Sequence, residues 1–225
     1  MSTRTIDYRQ AIDHLPEGAT LVLADVSWED YERLLEDLTE RPGVRVTYDQ
    51  GKVEIMSPLP KHEKYKEFVS HLIALLADEL NIDVESFGST TWKRREALKA
   101  TEPDLCFYVA NAEHVIGKDE LDLDVDPPPD LAVEIDVTNE SLSKFPVYAT
   151  LGVPEIWRYV SKRKSVLMYE LRDGEYVDIP ASRSFPMLTP QVLADFLEQS
   201  KADGRKLLRR SAAGWRCGRS EEPWA

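Results

Sequence analysis

The chain has 225 residues, 42 % apolar and 31 % charged, which are the proportions of a globular protein with one substantial core. Its net charge of −13 argues against a protein that coats nucleic acid by charge alone, because phosphate contacts need Lys and Arg, but it leaves room for a metal site built from carboxylates. Cys106 and Cys217 are too isolated for a disulfide framework or a zinc pattern, the start MSTRTIDYRQ lacks a signal-peptide core, and no apolar run spans a bilayer, so a cytoplasmic location is expected.

In chain order, WEDYERLLEDL predicts a helix with Ser27 as N-cap and Pro42-Gly43 as its stop. VRVTYDQGKVEIM predicts a hairpin, because two alternating runs flank Asp49-Gln50-Gly51. KHEKYKEFVSHLIALLADEL gives the clearest helical period, with Tyr65, Phe68, Val69, Leu72, Leu76 and Leu80 on one face. Three strands are then expected: VESFGSTTW, PDLCFYVA and DLAVEIDV. The acidic connection NAEHVIGKDELDLDVD between the last two belongs on the surface. SLSKFPVYATLG predicts a helix capped by Ser143, with Pro146 in its first turn and Gly152 at its end. EIWRYV reads as a strand, SVLMYEL and GEYVDI as a hairpin closed by Asp173-Gly174, and LTPQVLADFLEQS as a helix opening at Thr189-Pro190.

The order helix, strand, strand, strand, helix, strand from residue 62 predicts an α/β fold: a mixed central sheet flanked by helices, preceded by an N-terminal helix and hairpin. Residues 1–200 are expected to form one domain with its core at about 62–160, and the locally basic stretch 201–225 a poorly ordered tail. The helix after DLAVEIDV can cross over between parallel strands.

Strand alternation puts Leu131, Val133, Ile135 and Val137 on one face of DLAVEIDV, and Ala132, Glu134, Asp136 and Thr138 on the other. Alone, that is an amphipathic strand with a wet face. A strand feeding a crossover is interior, however, and a buried carboxylate is costly unless it is paired or metal-bound. The preceding strand carries Asp104 on one face with Cys106 and Tyr108. Two neighbouring strands with one acid each can converge on Mg²⁺ or Mn²⁺, which takes a few carboxylates plus waters, and the Ile135 carbonyl can add a ligand.

Phosphodiester hydrolysis also needs stabilised phosphoryl charge and an oriented water, and a lysine near the metal supplies both. Lys144, close to the start of the following helix, is the candidate, since a cation there opposes the helix dipole; a solvent-facing lysine is the alternative. His62 and Glu63 read as first-turn residues of the long helix, with a further metal or water contact as the alternative, and His14, His71 and His114 as ordinary residues. Asp130 forms a second Pro-Asp pair, but it lies about 13 Å along the strand from Glu134 at ~3.3 Å per residue, too far to share an ion. No Gly-rich phosphate loop, GxSxG, HExxH or paired CxxC occurs.

The segments GKVEIMSP, KHEKY, EPDLCFYV, PPPDLAVEIDVTNESLSKFPVY and GVPEIWRY resemble the Uma-two family of endonucleases, within the PD-(D/E)XK restriction-endonuclease-like group, over roughly residues 25–200. The resemblance implies a divalent-metal-dependent nuclease acting on DNA or RNA. It matches Asp104 to the acid of the PD element and Glu134 to the acid of the (D/E)XK element. Asp136 stands where the parent motif has lysine, so the lysine role falls to Lys144, which precedes the family's tyrosine, here Tyr148. The competing expectation is a nuclease fold kept as a non-catalytic interaction module. A homodimer is a further expectation, because two-fold assemblies are common and a duplex has two strands to cut.

Overall fold

The computed structural model describes residues 8–38, 43–137 and 141–203, with residues 8–10, 141–142 and 202–203 described by their backbone alone. Pro42, Thr138 and the tail from residue 204, Cys217 included, lie outside the described residues.

The chain opens with helix α1 (Tyr8–Asp13), strand β1 (Thr20–Leu23) and helix α2 (Trp28–Leu38). Ser27 caps α2 as expected, its Oγ accepting the Asp30 N–H at 3.1 Å. Strands β2 (Arg45–Asp49) and β3 (Lys52–Met56) form the hairpin. Its two turn residues, Gln50 and Gly51, both take positive φ (48° and 95°), the primed turn whose twist suits antiparallel strands. Helix α3 (Pro60–Leu80) starts on a proline whose missing N–H is harmless there. It ends on Asn81 in the left-handed conformation.

The stretch expected as one strand, VESFGSTTW, breaks into β4 (Glu85–Ser86) and β5 (Trp92–Arg94), which join different sheets. Gly88, at φ 56°, lies in the break, and its carbonyl accepts the Cys106 N–H. Strands β6 (Lys99–Thr101) and β7 (Leu105–Tyr108) follow, then a short helix α4 (Ala112–Val115) inside the acidic connection. Strand β8 (Leu131–Asp136) leads through a 3₁₀ turn (Ser141–Lys144) into helix α5 (Phe145–Leu151). The N-cap of α5 is Lys144, not Ser143, because the preceding turn already winds the chain; the Ser143 hydroxyl goes to Glu54 Oε2 at 3.1 Å instead. Gly152 ends α5 at φ 83°. The chain finishes with β9 (Glu155–Val160), β10 (Ser165–Arg172), β11 (Glu175–Asp178) and α6 (Pro190–Asp203).

The fold is α/β with a mixed sheet, ordered β11-β10-β9-β8-β7-β4. Strands β8 and β9 run parallel across the α5 crossover, and the other pairs are antiparallel. The expected N-terminal helix and hairpin prove to be part of more: a second, antiparallel sheet ordered β1-β3-β2-β6-β5. Strands of three or four residues carry too little periodicity to show in the sequence, and β6 is recruited from well down the chain.

Alternation decides which face of each sheet is dry. Val46, Tyr48, Val53 and Ile55 pack with Trp28, Tyr31 and Leu34 of α2. The intervening Arg45, Thr47, Glu54 and Met56 line a cleft shared with the mixed sheet. In the mixed sheet, Leu105, Leu131, Val133, Ile135 and Trp157 pack with α3 and α6. On the opposite face Cys106, Ala132 and Ile156 pack with Val147, Tyr148 and Leu151 of α5. All residues of β8 and β9 are buried, so both faces of the central strands are covered.

Candidate active site

The antiparallel ladder pairs Phe107 with Leu131 and Leu105 with Val133. One step further sets Asp104 opposite Glu134 and Pro103 opposite Ile135. Residues directly opposite each other share a face, so the two acids are neighbours on the α5 side, as the sequence parity predicts. Proline has no N–H, so Pro103 closes no ladder bond to Ile135. The Ile135 N–H is satisfied by a side chain instead: Asp104 Oδ2 accepts it at 2.7 Å. A strand residue's N–H and C=O point to the same edge, so the Ile135 carbonyl also faces the Asp104 side without a main-chain donor from Pro103.

His62 lies in the first turn of α3, where the helix abuts the end of β7, and is 3 % exposed. Its Nε2 stands 2.9 Å from Asp104 Oδ2, although the N–H is not aligned as a hydrogen bond. Burial would push the Asp104 carboxyl up; His62 first, then Lys144 and the Ile135 N–H, outweigh burial and hold it below its ordinary value. Asp104 is therefore held in its charged form.

Glu134 is held differently. Lys144 Nζ donates to both of its oxygens at 3.0 Å and to the Glu102 carbonyl at 3.2 Å. Tyr148, one helical turn beyond Lys144, donates its hydroxyl to Glu134 Oε1. Burial pushes the Glu134 carboxyl up to about 7, Lys144 opposes that, and the Asp104 charge adds to it. Burial disfavours the Lys144 ammonium, but Glu134 and then Asp104 raise it above its usual range, so it stays charged. Burial, then Glu134, raises the Tyr148 hydroxyl well above the ordinary range and keeps it a donor.

The geometry thus brings Asp104, Glu134, Ile135 and Lys144 together, in a cleft of about 230 Å³ between the two sheets. His62 joins them, against its reading as an ordinary first-turn residue. Glu63 keeps that reading: it is exposed and within 3.3 Å of Lys66. Asp136, in the place of the motif's lysine, pairs with Arg158 Nε at 2.5 Å, and Arg158 stands opposite Glu134 in the parallel register. Asp130 is at the other end of β8, where its carboxylate takes the N–H groups of Val109 and Asn111 and the Asn111 amide.

The donor set fits a hard divalent cation. Asp104 Oδ1 is buried and has no hydrogen-bond partner, the one carboxylate oxygen in the pair left unsatisfied. Glu134 and Ile135 line the same cleft and would add a second carboxylate and a main-chain carbonyl, both oxygen ligands. Among the described residues no group of three or more His, Cys, Asp and Glu gathers for a metal, so a two-carboxylate set completed by water is what the site offers.

Sequence reasoning favoured a structural place for His62 over its alternative role and missed the role of Tyr148. The Lys144-to-Tyr148 spacing of four was a usable signal. His62 had none, because its partner lies 42 residues away across a helix-to-strand contact.

The sequence matches the family model Uma2, described as "Putative restriction endonuclease", over residues 28–199. No protein of curated function matches it. Among solved structures, the chain is similar to a "putative nuclease belonging to DUF820" from Anabaena variabilis ATCC 29413, at 19 % identity and a TM-score of 0.49, over 72 % of this chain and 98 % of that one. No helix among the described residues is long and apolar enough to cross a membrane.

Proposed function

Because the chain belongs to the Uma2 family, described as "Putative restriction endonuclease", we propose that it is a divalent-metal-dependent nuclease that hydrolyses phosphodiester bonds in DNA. Asp104, Glu134 and the Ile135 carbonyl would hold Mg²⁺ or Mn²⁺. When bound, such an ion supplies a water of lowered pKa and offsets phosphoryl charge.

The remaining work belongs to the chain's own groups. His62 and the Ile135 N–H fix Asp104 by one oxygen and leave the other free to ligate. Tyr148 orients Glu134. Lys144, a buried ammonium, sits where it can hold the attacking water or a non-bridging phosphoryl oxygen. The observation that carries the reading is the unsatisfied Asp104 Oδ1 beside a Glu134 gripped by Lys144.

One observation favours a second reading. Both Glu134 oxygens already accept hydrogen bonds, as they would in a structural ion pair of a non-catalytic module. Nicking of supercoiled plasmid across a metal series separates the two. The nuclease reading expects cleavage with Mg²⁺ or Mn²⁺, abolished by Asp104→Asn, Glu134→Gln and Lys144→Met. No cleavage with any divalent ion, and no shift in melting temperature on adding Mn²⁺, leaves the module.

A further inference from the structure

One face of this acidic chain is basic. Lys61 and Lys64 on α3, Lys162, Arg163 and Lys164 in the β9–β10 turn, and Lys201 near the end of α6 are all exposed. The fold gathers them. Lys61 Nζ and Lys201 Nζ lie 5.9 Å and 5.7 Å from the centre of the Tyr65 ring. Lys164 and Lys201 both approach Glu198, which also takes the Tyr159 hydroxyl. Lys61, Lys64 and Lys201 line a groove of about 560 Å³. Glu67 is the acid in its wall, and Glu198 is engaged by the groups just named.

The face is tied to the catalytic end of the sheet. Ser161, which opens the basic turn, donates its N–H to the Asp136 carbonyl at 2.9 Å, two residues past Glu134. Lys61 precedes His62 on the chain. At the other end of β8 a recess of about 480 Å³ is lined by Asp83, Glu113, Asp130 and Glu155, with Arg183 its basic residue. The Asp136 end of β8 thus has the basic turn hydrogen-bonded beside it, and Asp136 itself lines the candidate cleft.

We propose that this basic face docks the phosphate backbone of duplex DNA and delivers it to the cleft, an inference that rests on the nuclease reading. Phosphate contacts come from exposed Lys and Arg, and these stand on three separate elements, α3, the β9–β10 turn and α6. The aromatic rings of the groove, Tyr65 and Phe68, are 3 % and 6 % exposed. They cannot stack on unpaired bases as a single-strand platform requires, which leaves backbone contact to a duplex.

The test is fluorescence anisotropy on a labelled duplex, without metal and in a Glu134→Gln background, comparing the parent with K61E/K64E/K162E/R163E. The variant should bind at least roughly 100-fold more weakly, and its plot of log affinity against log salt should be shallower by roughly 3–4, at about 0.9 per phosphate contact. The matched substitutions K61R/K64R/K162R should keep the affinity, and both variants should melt with the parent. Unchanged affinity and slope overturn the proposal; tighter, patch-dependent binding of RNA or of an acidic protein overturns the choice of duplex DNA.

Cleavage of the small diester bis(p-nitrophenyl) phosphate with Mn²⁺, Glu134 intact, keeps this test apart from the nuclease reading. Wild-type rates in the charge-reversed protein together with lost DNA binding support both. Ester cleavage with patch-independent DNA binding sinks the docking face alone. Patch-dependent DNA binding without any cleavage sinks the nuclease alone.

Discussion

A pair of buried carboxylates at each end of the central sheet invites comparison, because the two pairs are built on opposite plans. At one end, Asp130 receives two main-chain N–H groups and an amide. Beside it, Glu155 receives the Trp157 indole, the Arg183 and Ser184 N–H groups and the Ser184 hydroxyl. Their neutral donors tie down loops, and both acids are satisfied. At the other end, Asp104 and Glu134 are held by an imidazole, an ammonium and a phenol, and one oxygen is left over. Burial alone does not mark chemistry. Charged partners, a raised carboxyl beside a lowered one, and an unsatisfied acceptor are what set the second pair apart as the candidate site.

The sharpest way to break this contrast is to neutralise one acid at each end. Asp104→Asn or Glu134→Gln should cut metal-dependent cleavage by about 10²–10³-fold or more, with the melting transition retained. A wild-type rate in either would place these acids with the structural pair. Glu155→Ala should instead cost about 3 kcal/mol in chemical denaturation, because it orphans several buried donors, while cleavage per folded molecule stays unchanged.

The pH dependence of stability without metal gives the next contrast. Glu134 has an ordinary value of 4.5 and a folded value of about 7. Between the two, the unfolded chain has lost a proton that the folded chain keeps. Stability therefore falls as pH rises through that window, by on the order of 3 kcal/mol. Asp104 acts the other way: its contribution is present above its ordinary value of 3.8 and is lost as pH falls through the lower folded value. Urea titrations in chelator should show the first slope in wild type and not in Glu134→Gln. A wild-type profile flat from pH 4.5 to 7 would show that Lys144 keeps Glu134 ionised.

Lys144→Met should lower the cleavage rate by about 10²-fold and move the acidic limb of the rate profile to higher pH, since the cation that opposes protonation of Glu134 is gone. The smallest effect is expected at the rim. Ser143→Ala removes a bond to an accessible Glu54 and should cost less than about 1 kcal/mol, with cleavage unchanged.

Much of the site was legible in the chain. Asp104, Glu134 and Lys144 sit where parity and spacing put them, and the long helix, the hairpin and the β8–α5–β9 crossover follow their periodic signals. The exceptions share a cause. Strands β1, β5 and β6 are too short to show a period, and His62 reads like any polar residue in a first helical turn. Asp136 looked like a broken motif until Arg158, from the next strand, appeared beside it.

The sequence by itself determined what depends on local geometry. Side chains alternate every residue in a strand and recur every three to four in a helix, so shared faces, caps and turns can be read within a few positions. Only the tertiary structure decided which distant groups meet. It folded a second sheet over the cleft, brought His62 to Asp104, set Tyr148 on Glu134, and left Asp104 Oδ1 without a donor. Those outcomes follow from long-range strand pairing and helix packing, where burial of the whole surface, and not the pattern of any one segment, selects the partner.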